Sequence, residues 1–346
     1  MIDILPLSFC IGLAFIFINK TISTRWSRNL RNSPQTMHKK SVSRFGGIAV
    51  FFSLLIISTI SDLEEYTFLR EAIFVSSPVF LLGLADDFNI EIKPALRLAV
   101  LFMISLLFYY ILGIKAYNLN IPFVDYLFTF EIFSLLFICF AVAGMINAFN
   151  MIDGINGLLM LFCLTVCVSI LIFPQSAINL EFYLYLVALF FAILGIFILN
   201  FPFGRIFLGD GGAYFLGAMI VIGLIKYYQV NDLSPWYVML MLVYPVTDVL
   251  FSIYRRIVLK VSTLEPDNLH LHHLIYKRVS KLDLKSENKK HFLVTLMTFV
   301  IYTPFLLGAN YFSKETQILQ ILTVIFISIY VLIYFLLAPR GFLRNE

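Results

Sequence analysis

Five short stretches of this sequence carry side chains suited to anions or hard cations. They are His38 with Arg44, Phe45, Gly46 and Gly47; Asp86 and Asp87 with Lys93 and Arg97; Asn147, Asn150, Asp153 and Asn156; Arg205 with Gly209, Asp210, Gly211 and Gly212; and the run Asp267 to His273, which holds His270, His272 and His273. Adjacent carboxylates such as Asp86 and Asp87 repel, which raises a pKa and creates a base, or they help to hold a hard cation; two acids in a solvated loop have the same sequence signature. Oxygen ligands from Asp and Asn favour Mg2+ or Mn2+ over zinc. Helix capping explains one asparagine, but not three with an aspartate inside 147–156. Asp210, between glycines at a helix start, is open to the capping reading as well. The histidine set has no HExxH pattern and no neighbouring cysteine, so hydrogen bonding to phosphate or sugar oxygens suits it better than zinc.

The elements that must position these groups are membrane spans. Of 346 residues 60% are hydrophobic and 13% charged, and mean hydropathy is +0.91, values that exclude an ordinary soluble domain. Cys10, Cys139, Cys163 and Cys167 all lie inside apolar stretches and suggest neither a disulfide framework nor a zinc cluster. We read an all-α, polytopic transmembrane helical bundle of about eleven helices near 4–19, 46–61, 72–85, 98–114, 132–147, 157–173, 183–200, 212–227, 236–254, 292–309 and 317–338. The first has no basic region before it and no small-residue cleavage site, so it reads as a retained span. The chain 1–346 is then one integral membrane domain, with 20–45 and 255–291 as its main cytosolic loops and no internal repeat.

Charge orients the bundle. With the N-terminus outside and the C-terminus cytosolic, 21 of the 25 lysines and arginines face the cytosol, leaving Arg70, Lys115, Lys226 and Lys314 outside. All five polar stretches then lie on the cytosolic face. The second, fourth, sixth and eighth spans begin there, so their free N–H groups and positive dipole ends are predicted to converge on a phosphate, with Gly46-Gly47 and Gly211-Gly212 allowing close backbone approach. Asp248, two turns before Arg255, reads as an acid that supports the site or meets lipid headgroups, or that pairs with an arginine.

In order and content these motifs resemble the polyprenyl-phosphate N-acetylhexosamine-1-phosphate transferases, the superfamily that initiates O-antigen, common-antigen and teichoic-acid synthesis and includes the phospho-MurNAc-pentapeptide translocase. The resemblance spans about residues 35–275 and rests on Leu82-Gly83-Leu84-Ala85-Asp86-Asp87, on Asn147 to Leu158 read as NxxNxxDGxxGL, on Phe207-Leu208-Gly209-Asp210-Gly211-Gly212 and on His270-Leu271-His272-His273. It implies transfer of N-acetylhexosamine-1-phosphate from a UDP-N-acetylhexosamine to undecaprenyl phosphate in a bacterial inner membrane, with UMP released on the cytosolic side. It also implies Mg2+, with Mn2+ as a substitute, on Asn150 and Asp210. Asp86 and Asp87 then position or deprotonate the lipid phosphate, Asn147 and Asp153 shape the nucleotide side, and Lys93, Arg97 and Arg205 hold phosphates. His38 and Arg44 join the substrate-binding set, and His270, His272 and His273 bind the sugar nucleotide. Membrane lipids are the other expected partners, nucleic acid is not, and a homodimer is compatible with the family.

The chain departs from the family pattern at Asn268, where an arginine usually stands two positions before HxHH. Asn89 and Glu91 are the nearest polar residues to a third acid after the aspartate pair, and GDGGA replaces the commoner GDxGS. A secondary transporter is the competing class, but transporters place ionisable groups at the bilayer midplane between repeats, and here they cluster at one face. A cysteine introduced within 281–290 should react with a membrane-impermeant thiol reagent only after the cell is opened; labelling of intact cells would reverse the topology.

Overall fold

The computed structural model describes residues 9–13, 42–60, 64–90, 92–115, 118–173, 178–262, 267–284 and 286–338. Its longer elements are α1 (Gly46–Ile60), α2 (Thr67–Asp87), α3 (Pro94–Ile111), α4 (Pro122–Leu127), α5 (Glu131–Ile152), α6 (Leu158–Ile172), α7 (Leu180–Asn200), α8 (Gly209–Val230), α9 (Pro235–Met241), α10 (Val243–Val258), α11 (Leu271–Val279), α12 (Glu287–Tyr311) and α13 (Thr316–Leu337). No strand occurs among the described residues. Seven helices are long and apolar enough to cross a bilayer, the bent pair α9–α10 forms an eighth, and α1 and α6 are shorter apolar helices. Helices thus occupy ten of the eleven expected stretches, and only 9–13 of the stretch 4–19 is described. The protein is a multi-pass membrane protein: helices close their own backbone hydrogen bonds, as hydrocarbon demands.

Helix starts follow local chemistry. Pro94, Pro122 and Pro235 stand at first-turn positions, where no N–H is needed. Asn179 caps α7 by accepting the Phe182 N–H at 2.9 Å. The most buried element is α8, which packs against α1, α2, α5, α6 and α9. By contrast α3 and α13 bury little and turn apolar faces such as Met103 and Tyr110, or Ile321 and Leu332, outward, as suits contact with lipid. At the end of the bundle away from the polar motifs, Trp236 donates to the Leu119 carbonyl at 2.8 Å and Ser234 hydrogen-bonds Thr316 at 2.8 Å.

One expected element is corrected. The ninth span is not a single helix: α9 and α10 meet at 79° around Leu242. Pro245 lacks an N–H, so the Met241 carbonyl loses its helical donor. The Tyr302 hydroxyl takes the vacant place, donating to Met241 O at 2.8 Å. Beyond the break α10 is polar inward and apolar outward. Asp248, Ser252, Arg255 and Arg256 are buried, while Leu250, Ile253, Tyr254 and Ile257 are exposed. Tyr302→Phe leaves the buried Met241 carbonyl unpaired and should lower stability by about 1–3 kcal/mol; thermal unfolding in detergent, with the exposed Tyr311→Phe as control, measures it.

Candidate active site

The polar motifs meet where α2 ends and α8 begins. Asp87 Oδ1 accepts the Asp210 N–H and its Oδ2 the Gly211 N–H, both at 2.9 Å. These donors belong to the first turn of α8, which has no intrahelical partner for them and carries a partial positive charge. The contact is intimate: at Gly209, φ +80°, an added Cβ would lie 2.6 Å from Asp87 Oδ2, and an added Cβ on Gly212 would lie 2.6 Å from the Gly47 Cα. Only glycine takes that φ without strain.

This geometry corrects the expectation of free, phosphate-cradling helix ends for two of the four spans, the second and the eighth. The first amides of α1, at Gly46 and Gly47, donate to the carbonyls of Phe207 and Leu208 at 2.9 and 2.7 Å. Those of α8 are held by Asp87. Both ends are closed by the protein itself, because each helix start is buried against another chain segment, and a buried N–H finds a partner. Side chains are left to meet an anion there.

Arg44 reaches into the same junction, with Nη2 3.3 Å from Asp210 Oδ1 and Nε 3.9 Å from Asp87 Oδ1. Burial alone lowers the pKa of its guanidinium, and the carboxylates of Asp210, Asp87, Asp153 and Asp86 more than reverse this. Asp86 turns the other way and pairs with Arg97 Nη2 at 2.7 Å. Arg97 also donates to the Tyr214 hydroxyl at 3.3 Å and lies 5.9 Å from the centre of its ring. Asp210 and the Arg44 side chain remain partly exposed, so the cleft is electrostatically mixed: acids hold the arginines, and the arginines stay near its surface.

The asparagine motif closes α5 and turns into α6. Asn150 Oδ1 is buried and has no hydrogen-bond partner among the described residues, while the Asn147 side chain lies near the Met151 sulfur at 3.7 Å. Burial raises the Asp153 carboxyl well above the usual carboxylate range; Arg44 pulls it down, and Asp210 and Asp87 add to the rise. Asn156 has its backbone pinned, its N–H to His291 Nδ1 at 3.4 Å and its carbonyl by Thr295 at 2.9 Å, yet neither atom of its carboxamide is paired among the described residues.

The histidines divide by role. His270 Nδ1 is 2.7 Å from Asp248 Oδ2 and its Nε2 is 3.9 Å from Asp267. Burial depresses its pKa, but Asp248 and Asp267 carry the net shift upward. His270 is therefore an anchor and offers little to a ligand. His272 accepts or donates at Tyr244 through Nδ1, at 3.1 Å. His272 Nε2 and both ring nitrogens of His273 are unpaired among the described residues. Both rings crowd Gly154, where an added Cβ would lie 2.7 Å from His273 Nε2. Burial drives the His272 pKa well down and that of His273 to about 4, so both rings are neutral at physiological pH.

The structure thus joins Arg44, Asp86, Asp87, Arg97, Asp153 and Asp210, and seats His272 and His273 on the Asp153-Gly154 turn. It leaves Lys93 exposed at the start of α3. Arg205 is also exposed; it lies over the Phe203 ring at 5.0 Å and has no ion pair among the described residues. His38 lies outside the described residues. Among the residues that support the site, Tyr214 is the one the sequence did not single out, whereas Asp267 opened the histidine run and Asp248 read as a supporting acid. Asp248 signalled itself as an acid inside an apolar span, but its partner is a histidine and not an arginine. Asp267 holds Arg255 and Arg256 and accepts from Ser252 at 2.7 Å. Nothing in the sequence distinguishes Tyr214 from the other tyrosines.

A bundle of apolar helices with acids, arginines and asparagines gathered at one end defines a multi-pass membrane protein with a polar site at one face, and comparison with known proteins gives its class. The description "Glycosyl transferase family 4" matches residues 69–228. An undecaprenyl-phosphate alpha-N-acetylglucosaminyl 1-phosphate transferase of Thermotoga maritima is 30% identical over 72% of this chain and 74% of its own length. Its namesake from Yersinia pestis is 26% identical over 78% and 75%, and a probable undecaprenyl-phosphate N-acetylglucosaminyl 1-phosphate transferase of Bacillus subtilis is 28% identical over 70% and 67%. The chain belongs to glycosyl transferase family 4, among the polyprenyl-phosphate N-acetylhexosamine-1-phosphate transferases.

The opposed histidine shifts make the loop sensitive to pH in both directions. The His270 contribution is complete below the ordinary histidine pKa of 6.5 and is lost as pH rises through the raised folded value. His272 and His273 act oppositely: between 6.5 and about 4 the unfolded segment binds protons that the folded one refuses, so stability falls as pH falls. Amide-exchange protection of 271–279, corrected for intrinsic rates, should peak near pH 6.5 and decline on both sides.

Proposed function

We propose that the protein transfers N-acetylhexosamine-1-phosphate from a UDP-N-acetylhexosamine to undecaprenyl phosphate at the cytosolic face of a bacterial inner membrane. The observation that carries this reading is the junction of Asp87, Asp210 and Arg44 at the end of a transmembrane bundle, beside the Asp86–Arg97 pair. Such a site serves a water-soluble anion and a lipid-borne one together. The names of the relatives support the acceptor and the sugar phosphate, and the charge bias supports the cytosolic face.

In this reaction a phosphate oxygen of the lipid attacks the β-phosphorus of the donor. An oxygen–phosphorus bond forms, the bond from the β-phosphorus to the bridging oxygen breaks, and UMP leaves with that oxygen. A phosphate monoester is already largely ionised near neutral pH, so no strong base is required. Asp87, with both oxygens accepting backbone N–H groups, suits the task of fixing α8 and Asp210 in place. Arg97, steered by Asp86 and Tyr214, and the exposed Lys93 suit the phosphates. The unpaired carboxamide of Asn156 offers one donor and one acceptor set to a nucleobase edge, and His272 and His273 suit donor oxygens beside Gly154.

The residues also fit a hard cation. Asn150 Oδ1 is buried and unpaired, and the partly exposed Asp210 shares one oxygen with Arg44. No three His, Cys, Asp or Glu side chains are placed to hold a metal by themselves among the described residues, and a site completed by phosphate and water suits Mg2+. Bound there, Mg2+ would neutralise charge on the diphosphate.

Incubating the purified protein with undecaprenyl phosphate and a panel of UDP-sugars, and reading products by mass, tests the proposal. Lipid diphosphate-sugar and UMP should form only with Mg2+ or Mn2+, and Asp210→Asn should lose about 10²-fold or more in turnover. Full activity in excess EDTA would remove the metal, and absence of product with every UDP-sugar would remove the reaction.

A further inference from the structure

Asp248 is fully buried and its carboxylate is held by three donors from two parts of the chain, the His270-Leu271 step and Tyr330. His270 Nδ1 lies 2.7 Å from Oδ2, the Leu271 N–H donates to Oδ1 at 3.0 Å, and the Tyr330 hydroxyl donates to the same Oδ1 at 2.7 Å. Tyr330 belongs to α13, far beyond the stretch 69–228 matched by the family. Its ring is buried too, at 5.7 Å from Phe251 and 6.3 Å from Tyr334, so the hydroxyl has little freedom to point elsewhere. The other two donors sit where the histidine loop enters α11. Asp248 therefore fixes both the ring that starts HxHH and the backbone that follows it. The next rings along, His272 and His273, are those pressed on Gly154.

We infer that Tyr330 is a positioning residue for the donor side of the site: through Asp248 it sets where α11 begins, and hence where His272 and His273 stand beside the Asp153-Gly154 turn. The inference rests on the function proposed above. The last helix, which the family match does not include, thus acts on donor binding without touching the donor. A purely structural tyrosine would lower stability and leave substrate affinities alone.

Three measurements on the full-length protein test this. Tyr330→Phe removes only the hydroxyl. Losing a hydrogen bond to a charged group should raise the KM for UDP-N-acetylglucosamine, or for whichever UDP-sugar the wild type uses, about tenfold, with the KM for undecaprenyl phosphate held within about twofold. The double variant Tyr330→Phe/His270→Gln should bind donor no worse than His270→Gln alone, because residues acting through one network are not additive. Asp248→Asn supplies the same split should Tyr330→Phe fail to fold. Unchanged donor KM in an active Tyr330→Phe, or additive losses in the double variant, overturns the inference. Amide exchange without substrate separates it from the functional reading: Tyr330→Phe should loosen 271–279 and leave 67–87 unchanged, even if the wild type turns over no UDP-sugar, and equal protection of 271–279 in both proteins overturns it.

Discussion

The site depends on one carboxylate held by two backbone amides. Asp87 accepts from Asp210 and Gly211, and in doing so joins the end of α2 to the start of α8. A helix start buried without partners is costly, and so is a carboxylate in an apolar bundle; here each removes the other's penalty. Because Asp210 is one of the two residues whose N–H is held, the side chain that faces the cleft is fixed by its own backbone. Arg44 then spans both acids, and Asp86, one residue earlier on α2, holds Arg97 on the flank.

The division between Asp86 and Asp87 is a consequence of helical geometry. Successive residues on a helix point about 100° apart, so two adjacent acids at its end address different neighbours. As a sequence they read as a pair with one shared task, whether base, cation site or solvated loop. In the structure they are two single acids with different partners, one serving α8 and the other α3 through Arg97.

Much of the architecture was legible beforehand, and the parts that were not share a reason. Apolar stretches at bilayer length revealed the helices, since hydrocarbon demands backbone groups that are satisfied within one segment. Asp86, Asp87, Asn150, Asp153 and Asp210 stood out as polar groups in an apolar chain, and the structure brings the four aspartates together around Arg44. What escaped was pairing across long separations. Asp87 meets Gly211 across 124 positions and Asp248 meets Tyr330 across 82, and no local periodicity encodes such partners. The closed ends of α1 and α8 escaped for the same reason. Pro245 did signal the break at Leu242, but hydropathy averaged across it, because the outer face of α10 is as apolar as a span.

The contact of Gly47 with Gly212 has a consequence for how such a protein can change over time. Where two helices touch through peptide groups, their separation is a property of the main chain, and no rotamer can alter it. Substitutions on lipid-facing helix sides such as those of α3 and α13 can accumulate without altering the spacing between Arg44 and Asp210. The lineage is left with wide latitude in what faces the bilayer and almost none in the few positions that carry no side chain at all.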